Sequence, residues 1–140
     1  MKHNNAGFTL GELMTAIAII AILSAIAVPN MIGYRERAKL RGTFENLRGD
    51  LQWAKIRAIR DHDDVSILFD TGAYEIINAA GTTIRSRQLP AGVIISSSSN
   101  ATFDSRGRCP AGGAAVLEKV AGNGEQKKIN INPLGLIKQE

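Results

Sequence analysis

The chain opens on an apolar run, passes into a helical stripe and ends in alternating segments, so its patterning changes twice. From Phe8 to Val28 the only charged residue is Glu12. That run is rich in Ile, Leu and Ala and would make about 30 Å of helix, enough to cross a bilayer core. Beyond Pro29 the pattern stays helical. Leu40, Phe44, Leu47, Leu51, Ala54 and Ala58 recur at 4-3-4-3-4 spacing, one apolar stripe on a helix. Arg35, Arg37, Lys39, Arg41, Arg48, Lys55, Arg57 and Arg60 surround it, with Glu36, Glu45 and Asp50. Gly33, Gly42 and Gly49 each weaken such a helix by about 1 kcal/mol relative to alanine. The acidic run "RDHDD" (60–64) is expected to end it, because acids disfavour a helix C-terminus.

Short strands follow. "VSILFD" (65–70) and "AYEIIN" (73–78) flank Thr71-Gly72, a hairpin signal. "TTIRSRQL" (82–89), "GVIISSS" (92–98) and "ATFD" (101–104) read as further strands. "GAAVLEKV" (113–120) and "KKININ" (127–132) predict a second hairpin around "AGNGE", and "PLGLIKQE" closes the chain. The fold class is α+β. A long N-terminal helix, membrane-spanning in its first half and amphipathic in its second, packs that second half on an antiparallel β-sheet domain. The expected division is 1–7, 8–34, 35–62 and 63–140, the last being the β region.

Composition adds little to this. The 140 residues carry a formal net charge of +4, which suits an anionic membrane surface, nucleic acid or nothing specific. The single cysteine, Cys109, excludes an intrachain disulfide. It sits beside Pro110 in a Gly-rich stretch and reads as a bystander thiol, with an intermolecular disulfide as the alternative. No cofactor or metal site is expected. The only histidines are His3 and His62, and His62 with Asp61, Asp63 and Asp64 reads as a solvated turn. Ser96 to Ser99 lack a general base, and no P-loop or GxGxxG is present. A membrane-anchored enzyme is disfavoured for want of a site.

Three features argue against a cleaved secretory signal ending near Ala25 or Ala27. The apolar run is long, a glutamate sits inside it, and the helical pattern continues past it. The arginines downstream would, by charge alone, hold the C-terminal region in the cytoplasm.

"GFTLGELM" followed by an apolar helix resembles the class III signal of type IV prepilins and type II secretion pseudopilins. The resemblance implies cleavage between Gly7 and Phe8 by a membrane-embedded prepilin peptidase, and N-methylation of the new N-terminus, Phe8. Glu12 matches the family's near-invariant glutamate, and Pro29 the proline that kinks or loosens the pilin helix. Gly11 departs from the usual bulky aliphatic residue. In that family the leader stays cytoplasmic and the globular domain is exported, which resolves the charge conflict. The expected setting is therefore the inner membrane, then a pilus or pseudopilus. The expected partners are other pilin subunits, the peptidase, the assembly platform and lipid.

A lone carboxylate in hydrocarbon costs several kcal/mol unless it finds a cation. In a filament the α-amino group of a neighbouring Phe8 could supply it, which would make Glu12 a register pin. The alternative is a glutamate snorkelling to the membrane edge.

"ATFDSRGRCPAGGAAVLEK" and "KKININPLGLIK" are similar to the C-terminal domain of GspH/FimT-type minor pilins. Relatives in natural competence bind DNA through a "G-R-x-R" tail. Here Gly135-Leu136-Ile137-Lys138 replaces the first arginine with leucine. Arg106, Arg108 and Lys138 are the candidate DNA contacts, weighed against solvated loop charge. The leading reading is a minor pilin or pseudopilin subunit, and a DNA-binding minor pilin for uptake is the alternative.

Overall fold

The structure is a computed structural model that describes residues 8–120 and 124–139. It divides into two compact units, one reaching Arg35 and the other starting at Glu36. Among the described residues a single helix, α1 (Leu10–Asp61), is followed by eight strands. The leader 1–7, with Gly7, lies outside the described residues. Pro29 falls within the span of α1, and its side chain is outside them too.

In the first unit every described side chain from Phe8 to Val28 is exposed. The helix is long and apolar enough to cross a membrane.

The second unit closes its own core. The strands are β1 (Val65–Phe69), β2 (Ala73–Asn78), β3 (Thr83–Gln88), β4 (Val93–Ser99), β5 (Ala101–Phe103), β6 (Gly113–Lys119), β7 (Gln126–Ile131) and β8 (Ile137–Gln139). They form two four-stranded antiparallel sheets, ordered β3-β2-β1-β5 and β4-β6-β7-β8. Strands β4 and β5 belong to different sheets although only Asn100 separates them. The side chain of Asn100 accepts a hydrogen bond from the Phe69 amide at 3.2 Å, which anchors the chain where it changes sheet. The two sheets also meet where the Ile95 amide donates to the Thr71 carbonyl.

Alternate residues of both sheets point one way, as the pleat requires. These are Val65 and Ile67, Tyr74 and Ile76, Ala101 and Phe103, Val93 and Ile95, Ala115 and Leu117, and Ile129 and Ile131, all buried. The six stripe residues of α1 cover them and are 0–1% exposed. Each large side chain removed from water in this way contributes about 1.5–3 kcal/mol.

Helix α1 ends where the acidic run predicts, but for a different reason. His62 adopts a left-handed φ of 53°, and the Asp63 amide donates back to the Ala58 carbonyl at 3.2 Å. This six-to-one closure is a Schellman motif, and backbone geometry makes the stop. The acid at the end is neutralised: Asp61 is bound by both Arg57 and Arg60. Most strand ends lie within a residue of the expected ones. The antiparallel β region is divided into two sheets, and Cys109 lies in the core. Cys109 is fully buried, its Sγ donates to the Gly112 carbonyl at 3.2 Å, and burial pushes the thiol above its ordinary range.

Candidate functional site

Three places carry the chemistry: the first turn of α1, its seat on the sheets, and two loops beside it.

At the first turn Phe8 is 88% exposed. Thr9 caps the helix. Its hydroxyl accepts from the Glu12 amide at 3.2 Å, and its amide and hydroxyl both reach Glu12 Oε2 at 3.3 Å. This is a capping box, in which the two residues satisfy each other's orphan backbone donors. The carboxylate also lies at the positive end of the helix, where negative charge is favoured. Glu12 is therefore not the lone acid that its apolar surroundings suggest. Both bonds from Thr9 use Oε2, and Oε1 has no partner among the described residues. "TLGE" directly before an apolar run carries the box in its spacing.

The seat of α1 rests on a buried acid that sequence reading grouped with the surface charges. Asp50 is 4% exposed. Its carboxylate accepts from the Tyr74 hydroxyl at 2.7 Å, Arg85 Nη1 at 2.6 Å and Arg87 Nε at 2.9 Å. Tyr74 and Arg87 are cross-strand partners on β2 and β3, and Arg85 lies two residues before Arg87 on the same face. Trp53, one helical turn from Asp50, has the Arg85 guanidinium 4.0 Å from its ring centre. Burial pushes the Asp50 carboxyl up, but the bonds from Tyr74, Arg87 and Arg85 outweigh it and hold the group below its ordinary value. Burial, then the neighbouring carboxylate, pushes the Tyr74 phenol well above its usual range. The pattern Arg85-x-Arg87 beside a single acid next to the stripe was the available signal. Nothing local joined the two.

The loops carrying the candidate DNA contacts meet. Gly135 lies so close to the 104–108 turn that a Cβ on it would come within 2.0 Å of the Gly107 carbonyl oxygen. A Cβ on Gly107 would fall 2.6 Å from the side chain of Ile59 on α1. Both glycines have positive φ, 73° and 74°, so this packing is open only to glycine. Lys55 Nζ ties the tail to the helix by donating to the Gly135 carbonyl at 2.9 Å. Thus Gly107 serves a close approach to α1. The Arg108 guanidinium is engaged by Asp104 through Nε and Nη2, at 2.9 and 2.8 Å. Asp104 also accepts the Arg106 and Arg108 amides, and these bonds, the Arg108 amide first, hold its carboxyl below the usual range. The side chains of Arg106 and Lys138 are exposed.

One long helix laid over antiparallel sheets, with an uncovered apolar N-terminal run, defines a pilin-type architecture. Comparison with known proteins agrees. The prokaryotic N-terminal methylation motif matches residues 2–28, and the family described as Type II transport protein GspH matches residues 43–135. The type IV wide pilus major component PilA4 of Thermus thermophilus is 33% identical over 101 residues, covering 70% of each chain. The type IV major pilin protein PilA of Myxococcus xanthus is 52% identical over 44 residues, 31% of this chain; the match spans only 20% of that protein's length. The type IV minor pilin FimU of Pseudomonas aeruginosa shares the fold at a TM-score of 0.62 and 20% identity, over 76% of this chain and 92% of its own. The chain belongs to the GspH family, within the type IV pilin and pseudopilin superfamily.

Proposed function

We propose that this chain is a minor pilin or pseudopilin subunit and not an enzyme. It is cut by prepilin peptidase between Gly7 and Phe8 and methylated on Phe8. It is then built into, or primes the tip of, a type IV pilus or type II secretion pseudopilus. One observation carries the reading. The apolar run from Phe8 to Val28 exposes every described side chain, whereas the unit from Glu36 onward buries a complete core. The partners of the apolar run therefore lie outside the chain: inner-membrane lipid first, then the helices of other pilin subunits delivered by the assembly platform. In this reading residues 8–34 belong to the membrane and later the filament, Pro29 loosens the helix, the leader stays cytoplasmic and the globular region is exported. Intact-mass spectrometry of membrane-extracted protein tests it. The expected mass lacks residues 1–7 and carries one methyl group. A chain starting at Met1, or near Ala27, would contradict the reading.

DNA uptake is the second reading, favoured by the junction that brings the 104–108 turn against the C-terminal tail. With Arg108 held by Asp104, few free cations remain there, and duplex DNA should bind weakly and only at low salt. Changing Arg106 and Arg108 together to alanine should reduce that retention modestly in gel-shift titrations of the full chain in detergent. Micromolar or tighter binding at about 150 mM salt, lost in that double variant or in Lys138→Ala, would make DNA uptake the leading function.

A further inference from the structure

A groove of about 380 Å³ runs between α1 and the end of β3. Lys39, Gly42, Thr43 and Asn46 line it from the helix, and Arg87 and Gln88 from the strand, with Leu89 and Pro90 as an apolar wall. We infer that this groove binds a carboxylate side chain presented by a neighbouring pilin-type subunit, an inference that rests on the subunit reading above.

The guanidinium of Arg87 is held in place by Asp50, which takes its Nε hydrogen. That is one of five donors, and the side chain is still 42% exposed, so a fixed and charged fork is available for a second carboxylate. Lys39 lies at the other side, bonded at 3.1 Å to Glu36 one turn earlier on the helix. This is a solvent-exposed pair of the kind an incoming acid can exchange. The carboxamides of Asn46 and Gln88 have no side-chain partner among the described residues. Thr43 is committed, donating to the Lys39 carbonyl at 2.8 Å. Planar, two-oxygen recognition by a guanidinium and carboxamides suits a carboxylate, and the Leu89–Pro90 wall suits the short apolar stem of a glutamate. The space accommodates one or two side chains.

Gly42 gives a way to probe the groove. A Cβ there would meet nothing within 4 Å, as at Gly33 and Gly49 on the same helix, so a methyl group can be added beside the groove without a clash inside the chain.

The test uses the ¹⁵N-labelled full chain in detergent micelles, reading the Arg87 Nε–H and the Asn46 and Gln88 side-chain amides by NMR. The probes are acetyl-Gly-Glu-Gly-amide, its glutamine counterpart and inorganic phosphate. The glutamate peptide should shift all three signals saturably, and the glutamine peptide should bind roughly tenfold or more weakly. Gly42→Ala should weaken peptide binding while the thermal midpoint stays level or rises, because alanine favours the helix. Absence of saturable shifts overturns the inference. So does phosphate shifting the signals where the glutamate peptide does not, or full peptide binding by Gly42→Ala. None of these results touches the subunit reading, which stands or falls on the mature mass.

Discussion

Asp50→Ala is expected to destabilise the unit from Glu36 onward by about 2–3 kcal/mol, the cost of leaving the buried Tyr74 hydroxyl without its acceptor and two part-exposed arginines without their counter-charge. The substitution strands Arg85, Arg87 and the Tyr74 hydroxyl at once, all of which bond this one carboxylate. The melting midpoint should fall by at least about 8 °C for a domain of this size. Trp53 is the only tryptophan in the chain, and it stacks on Arg85, so its fluorescence reports the event directly. Asp50→Asn should lose less, since the amide retains an acceptor for Tyr74. The same network sets an acid limit. The Asp50 carboxyl is lowered from 3.8 in the folded chain. Its contribution is therefore complete above that value and is lost as the pH falls through the lower folded one. A loss below about 1 kcal/mol for Asp50→Ala would show that the acid is a bystander and that the apolar stripe alone seats the helix.

What could be read from the sequence was the part encoded by local period. Leu40 to Ala58 repeat at helical spacing, and every member of that stripe is buried where the period puts it. Thr71-Gly72 and the pairing of 113–119 with 126–131 are hairpins, set by neighbours in sequence. The missing parts depend on residues far apart. Asn100 looks like one more polar turn residue, yet it is where the chain leaves one sheet for the other. Asp50 and Arg87 are 37 positions apart and are joined only once β3 lies beside the helix. Cys109 follows a Gly-Arg turn and precedes a proline, and only the docking of the C-terminal loop, through the bond from its amide to the Pro133 carbonyl at 3.2 Å, carries it inward. At the first turn the case is different. The Thr9–Glu12 spacing was local and legible, but the rarity of an acid in an apolar run drew attention to its charge and away from its cap.

That distinction decides what Glu12 does, and two substitutions separate the possibilities. Glu12→Val removes both the charge and the acceptor that Thr9 uses. Processing at Gly7-Phe8 should survive, and incorporation into sheared filaments should fall at least about tenfold relative to the membrane pool, since an unmatched cationic terminus in an apolar interior costs more than 1.4 kcal/mol. Loss of a helix cap alone is worth about 1 kcal/mol, so Thr9→Ala should assemble with a mild defect. Glu12→Gln is the critical variant, because glutamine at this position still completes a capping box but carries no charge. If Glu12 pins register by meeting the amino terminus of a neighbouring subunit through its free Oε1, the glutamine variant should fail nearly as badly as valine. If glutamine assembles like the native chain, the carboxylate serves only to start the helix, and the pairing role is wrong. Helix content in detergent should be unchanged for glutamine and slightly reduced for valine, which keeps a folding defect from passing as an assembly defect.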